Sequence, residues 1–285
     1  MKKDKTHIHW YPGHIAKAER KLKEQLSLVD AVIEVIDARI PLSSRYDNIT
    51  GLLNQKPRFL LVNKSDLVDK NELDKYVQYL KKETGTSVIS TTAKSNKDLN
   101  LIIKEAIRLS EPRIQAIMAK GLLRRPARIM VVGLPNVGKS SIINKLTRSS
   151  KTKTGAKAGV TRQQQWVRIN PQLELLDTPG IIPMKQEDQE RATKLAFVNS
   201  VGDNAYSNDF VAKELLNVLG EKQKGIFKEY YGLAQDSELT LENIALNRKW
   251  LIRNQEPDIE RTSGYVLKDF REGKIGKFIL DSFNQ

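Results

Sequence analysis

An α/β domain built on a mostly parallel sheet with helices on both faces, followed by an all-helical domain, is what this 285-residue sequence predicts. Three observations predict it. Up to about residue 185, short β-branched apolar runs alternate with segments of helical period, which is the pattern of βα units. One of these strands runs straight into a glycine-rich loop and then a helix. From about Glu187 onward the β-rich runs stop, and four or so amphipathic helical segments follow, punctuated by Gly202, Gly220, Gly232 and Gly264. The expected division is 1–185 and 186–285.

A basic amphipathic helix comes first. After HWYPGH, the residues Ile15, Ala18, Leu22, Leu26 and Val29 recur at steps of three and four, with Lys17, Arg20, Lys21 and Lys23 on the other face. AVIEVID (31–37) and RFLLVNK (58–64) read as buried strands. Between Asn71 and Leu109 the pattern gives a helix, a short strand around SVIS and another helix. Ser110 to Arg125, with Pro112 and Gly121, reads as a connector. ARIMVVG (127–133) is the strand that enters the glycine-rich loop, and KSSIINKL continues as helix. WVRIN and LELLDTPG form a strand pair around a turn at Asn170-Pro171.

Composition narrows the function. Lys and Arg number 48 against 34 Asp and Glu, a formal charge of +14, which favours a polyanionic partner, nucleic acid ahead of an anionic membrane. Without cysteine there is no disulfide framework, thiol catalysis or Cys-ligated zinc, and three histidines are too few for a His-rich metal site. No run of eighteen apolar residues occurs, so the expectation is a soluble, cytoplasmic protein with no membrane association.

GLPNVGKS (133–140) fits G-x-x-x-x-G-K-[ST] at every fixed position. Its glycines let backbone wrap phosphates, and amides at Asn136, Val137, Gly138, Lys139, Ser140 and Ser141 supply partial positive charge at a helix N-terminus. Lys139 would reach the β- and γ-phosphates, and Ser140 would ligate magnesium (Mg2+). DTPG (177–180) ends a strand: Asp177 would hold the magnesium, and the Gly180 amide would meet the γ-phosphate. GVTRQQQW offers Thr161 as the mobile-loop residue that closes over both.

NKSD (63–66) supplies base choice, through Asn63, Lys64 and above all Asp66. A carboxylate accepts two hydrogen bonds from the N1–H and N2–H2 edge of guanine, whereas adenine presents an acceptor at N1 and no amine beside it. GTP and GDP are therefore the expected nucleotides. The competing reading of Ser65-Asp66 is a cap on the next helix. Thr92-Ala93-Lys94, just after a strand, is similar to a loop whose amides contact guanine O6.

The base-reading motif precedes the phosphate cradle, the reverse of the ordinary succession. The set NKSD, TAK, GLPNVGKS, GVT and DTPG, with DARIP (37–41) after the first strand, resembles the circularly permuted GTPases. HWYPGHIAKA at the start and DFREGKIGKF near the end are similar to the bacterial YlqF subgroup, and the likeness spans essentially the whole chain. The resemblance implies a permuted P-loop GTPase domain with a basic N-terminal segment, and a C-terminal helical RNA-binding domain. It also implies a GTPase that acts late in large-subunit assembly and binds ribosomal RNA and the large ribosomal subunit precursor in the cytoplasm. We expect a monomer. The rival reading is a GTP-gated RNA-binding scaffold in which hydrolysis is incidental.

Joining two nearby termini and cutting elsewhere preserves one site. Here 110–125 would be the join, and the cut falls after DTPG, so the loop behind Gly180 feeds the helical domain and could reposition it through 181–189. Ile181-Ile182 cannot orient an attacking water, so help must come from elsewhere. His9 is one candidate, with His14 a weaker one. Potassium (K+) held by the Asn136 amide oxygen is the other. Arg248, Lys249, Arg253, Arg261, Lys268, Arg271, Lys274 and Lys277 concentrate in the C-terminal third and point to RNA, while Trp250, Tyr265 and Phe270 are expected in the core.

Overall fold

Strand β1 (Ala31–Asp37) is buried at all 7 of its residues, which marks it as the centre of a sheet covered on both faces. In the computed structural model, which describes residues 20–46, 49–148, 166–176, 180–181, 188–202 and 205–283, β1 pairs in parallel with β2 (Arg58–Asn63) and with β4 (Ala127–Gly133). Strand β3 (Val88–Ser90) lies outside β2. On the other side come β6 (Leu173–Leu176), parallel to β4, and β5 (Trp166–Asn170), antiparallel to β6 at the edge. The order is β3-β2-β1-β4-β6-β5, and β7 (Gly180–Ile181) pairs with β4 beyond the end of β6. β5 and β6 form the expected pair around a turn at Pro171-Gln172.

Helices α1 (Ile49–Leu52), α2 (Lys70–Thr84), α3 (Leu99–Met118) and α4 (Lys139–Arg148) connect these strands. The expected connector at Ser110 is corrected in its first half, because α3 continues through Pro112 to Met118. Leu99, Ile102, Ala106, Ser110 and Ile114 keep one buried face across the proline, and that packing outweighs the ~3 kcal/mol helix penalty of proline. Arg113 on the same turn pairs with the buried Asp30 at 3.2 Å. The true connector is 119–126, an exposed run in which Leu122 and Leu123 are 61% and 92% accessible. The first amphipathic segment is helical over 20–26, with Leu22, Leu26 and Val29 buried.

Among the described residues five α-helices follow: α5 (Gln189–Phe197), α6 (Asn208–Val218), α7 (Glu221–Tyr231), α8 (Leu241–Arg248) and α9 (Ile259–Arg271). α9 packs on α6 and α8, and α5 on α6. The buried apolar residues of this region join those of the sheet in one continuous cluster, from Leu22 to Phe278. A second cluster under α2 takes Ile36, Leu60 and Val62 from the sheet together with Ile279 from the C-terminal stretch.

That C-terminal stretch lies across the loop behind β1. The Leu280 amide donates to Arg39 O at 2.8 Å. The Asp281 carboxylate accepts from the Leu42 and Ser43 amides at 2.7 and 2.8 Å, and the Tyr76 hydroxyl donates to Asp281 O. Phe283 stacks on Tyr79.

Candidate functional site

β4 ends in a loop that only glycine permits at two points. Gly133 has φ +153°, and a Cβ there would lie 2.4 Å from Val35 O. Gly138 has φ +100°, and its Cβ would lie 2.1 Å from Asn63 Nδ2. Any side chain at Gly138 would therefore push Asn63 out of place. Asn136, between them, has φ +56°, a left-handed conformation that Asn tolerates better than most residues. The loop delivers Lys139 and Ser140 to the first turn of α4.

Lys139 is 6% exposed and its Nζ donates to Leu134 O at 2.6 Å. Burial lowers its pKa to about 8. An ammonium folded into its own loop, with no opposing carboxylate among the described residues, suits an anionic guest, and phosphate oxygens are the chemistry it fits. The hydroxyl-bearing Ser140 and Ser141 beside it are exposed.

Residues 63–66, expected from sequence to read the base, meet this loop directly. Asn63, 1% exposed at the end of β2, donates from Nδ2 to Val137 O at 2.9 Å across a separation of 74 residues. Lys64 donates to Asn136 O at 2.8 Å and pairs with Asp37 at 2.8 Å. Asp37 is fully buried. Burial alone would raise its pKa, but Arg39 and Lys64 override burial and hold the carboxyl well below the usual range. Asp66 accepts from Thr92 Oγ1 at 2.7 Å and pairs with Lys94 at 2.7 Å. Its pKa is lowered, since those two bonds outweigh partial burial. The helix-cap reading of Ser65-Asp66 does not hold: α2 is capped by Asp69, whose carboxylate accepts from the Glu72 amide at 3.0 Å.

A residue that the sequence motifs do not reveal ties the Thr92-Ala93-Lys94 loop to the phosphate helix. Lys145, buried on α4, donates to Thr91 Oγ1 at 2.9 Å, Thr92 O at 3.1 Å and Asp98 at 3.0 Å. Three separated segments are thus brought together: 63–66, 91–98 and 133–145.

A second tie runs to the helices. Asn136 Nδ2 donates to Asn199 O at 2.6 Å, and the Tyr206 hydroxyl bonds Asn199 Oδ1 at 3.1 Å. Arg271 donates to the Tyr206 hydroxyl at 3.0 Å and to Ala196 O and Phe197 O at 2.8 and 3.0 Å. Arg39 donates to Arg271 O at 3.3 Å and to Asp37, which closes a ring back to Lys64 and Asn136. Asp37 and Arg39, both buried, are the part of this ring to which sequence reading gave no role of their own.

Gly180 stands in β7, paired with Val132 of the cradle strand. His9, His14, Thr161 and Asp177 lie outside the described residues. Among the described residues there is no cluster of three or more His, Asp or Glu able to hold a metal, and no helix is long and apolar enough to cross a membrane. Of the expected magnesium ligands, the structure describes only Ser140. Of the aromatics expected in the core, Phe270 is 3% exposed, but Tyr265 is 40% exposed, a correction. Tyr265 stacks on half-buried Trp250 on the outer side of α9.

Residues 128–236 match the family described as 50S ribosome-binding GTPase. The chain is 38% identical to the ribosome biogenesis GTPase A of Bacillus cereus, over 96% of this chain and 94% of that protein. It is 32% identical to the mitochondrial ribosome-associated GTPase 1 of Xenopus tropicalis, over 96% and 94%. Among solved structures, the GDP-bound YlqF structure is similar with a TM-score of 0.65 and 27% identity, covering 92% of this chain and 98% of that one. The GNP-bound YlqF from T. maritima follows with a TM-score of 0.63 and 28% identity, covering 91% and 95%.

Proposed function

The chain belongs to the ribosome biogenesis GTPase A family, and from that premise we propose that it hydrolyses GTP as an assembly factor on the immature large ribosomal subunit. The observation that carries this reading is the Asn63–Val137 hydrogen bond, which holds the base-reading segment against the phosphate cradle although the chain visits them in reverse order. In this reading residues 1–185 are the GTPase unit and 186–285 an RNA-binding helical unit. The protein acts late in 50S assembly as a cytoplasmic monomer, and the particle stimulates its hydrolysis.

Asp66 accepts the two N–H groups of guanine, oriented by Thr92, while the 92–94 backbone lies toward O6. Lys139 exchanges Leu134 O for the β- and γ-phosphate oxygens, where its charge counters the negative charge that develops. Ser140, with Thr161 and Asp177, would hold Mg2+, which when bound neutralises phosphate charge. Water attacks the γ-phosphorus as the bond to the β–γ bridging oxygen breaks, leaving GDP and inorganic phosphate. The Gly180 amide faces the γ-phosphate in this scheme. Its place in β7 beside Val132 is consistent with that role. Water orientation falls to His9 or to K+ at Asn136. Loss of the γ-phosphate at Thr161 and Gly180 repositions the helices through 181–189.

Single-turnover hydrolysis with and without large-subunit precursors tests the reading. Acceleration by at least about tenfold is expected. Unchanged turnover alongside GTP-dependent docking on the particle would favour the scaffold instead. Running the assay in potassium against sodium, and with His9→Ala, separates the two helpers.

A further inference from the structure

The exposed stripe of α9 carries Arg261, Gly264, Tyr265 and Lys268, spaced at three and four residues so that they share one face of the helix. A cavity of about 510 Å³ opens on this stripe, with Asn208 on its far wall. Tyr265 presents an aromatic wall: its ring stacks on Trp250 at 4.7 Å and 25°. The Arg261 guanidinium sits 5.8 Å from the centre of each ring. A ring braced from behind and flanked by a cation is set in place before any guest arrives, which reduces the ordering cost of binding.

Gly264 adds an independent observation. Glycine inside a helix costs about 1 kcal/mol relative to alanine, and is normally kept where a neighbour presses on the backbone. Here a Cβ would meet nothing within 4 Å. Gly225 is equally free, so what distinguishes Gly264 is that the space it leaves belongs to the cavity.

We propose that this face of α9 is a pocket for one unpaired RNA nucleotide, whose base stacks on Tyr265 over the gap left by Gly264 while Arg261 and Lys268 take the flanking phosphates. The Glu260 carboxylate lies at the same rim and suits a base edge rich in N–H donors, while that of Asp258 caps the helix by accepting from the Arg261 amide at 3.0 Å. Duplex RNA cannot enter, because its bases are stacked and paired, so the pocket selects bulges and loops. Positive charge on the neighbouring turns, at the exposed Arg248, Lys249 and Arg253, favours a polyanion over an apolar peptide. The inference rests on the RNA-binding reading above and deepens it.

The test compares the full chain binding a hairpin with one bulged nucleotide and the fully paired hairpin, each over a range of salt. Wild type should prefer the bulge by about tenfold, from the usual contribution of one base–aromatic stack. Tyr265→Leu should abolish that preference and leave the salt slope unchanged, whereas Tyr265→Phe should keep it. A 2-aminopurine placed at the bulge should be quenched by wild type and by Tyr265→Phe only. Gly264→Ala should raise Tm and lose the preference. Gly225→Ala, in a helix position equally free of neighbours, should raise Tm and retain it. If the bulge preference survives both Tyr265→Leu and Gly264→Ala, or wild type binds both hairpins equally, the pocket is refuted while RNA binding stands. If wild type binds neither hairpin, the RNA-binding reading falls with it.

Discussion

Two lysines on helix α4 are equally buried, at 6% exposure, yet they stand in opposite circumstances. Lys145 is surrounded by a hydroxyl, a carbonyl and the Asp98 carboxylate. Lys139 has, among the described residues, a single carbonyl of its own loop, and burial pulls the pKa of its amine down to about 8. Lys145 is thus charge-balanced by groups of the protein itself, while Lys139 meets no carboxylate among the described residues. A balanced lysine serves to hold segments together; under the proposed function the unbalanced one serves phosphate capture and chemistry.

The largest expected effect comes from removing the unbalanced cation. Lys139→Met should slow single-turnover hydrolysis about a thousandfold, the cost of losing a charge aimed at developing negative charge. Without nucleotide it should not lower Tm, because no carboxylate partner is orphaned. The same lysine predicts a pH signature. Its folded-state pKa is depressed below the unfolded value of 10.5, so the folded protein sheds that proton first, and stability without nucleotide should rise from about pH 8 towards 10.5. Nucleotide affinity should fall over the same range, since phosphate needs the charged amine. Thermal melts and titrations of wild type and Lys139→Met check both trends, and the variant should lack them.

Next in size, Asp66→Asn should weaken GDP binding about a hundredfold by replacing a charged double acceptor, with hydrolysis of bound GTP little altered. Calorimetry would register it. Lys145→Met should behave conversely to Lys139→Met. Leaving Asp98 and Thr91 without their shared donor should cost about 2 kcal/mol of stability, as seen in denaturant titrations, and should narrow the preference for guanine over adenine nucleotides. The smallest effect belongs to Lys94→Ala. Its side chain is 75% exposed, so losing the ion pair with Asp66 should change GDP affinity by less than about twofold.

The central strands β1, β2 and β4 were legible because each is a short apolar run, and because a sheet buried on both faces tolerates little else. The loop at 133–138 was legible for a different reason: a strand that turns sharply into a helix needs glycines where φ is positive, as at Gly133 and Gly138. Pro112 misled, since local propensity yields to a helix face that packs on β1 and β4. Tyr265 misled in the opposite sense, because its helical spacing resembles a core position while its neighbour Trp250 occupies the inner place. Lys145 and Asn199 were invisible, as their contacts join segments far apart in the chain and leave no local pattern.

The exposed run between α3 and β4 has a consequence for how divisible the molecule is. Leu122 and Leu123 contribute nothing to the guanine or phosphate contacts, yet they carry the peptide bonds linking Asn63 and Asp66 to Gly138 and Lys139. Scission at these leucines would therefore yield two complementary polypeptides, each holding half of a nucleotide receptor and each recruited to the other by the β1–β4 ladder. Under the proposed function only their reunion would bring base and phosphate contacts together, so the permuted order carries within it the design of a split GTPase.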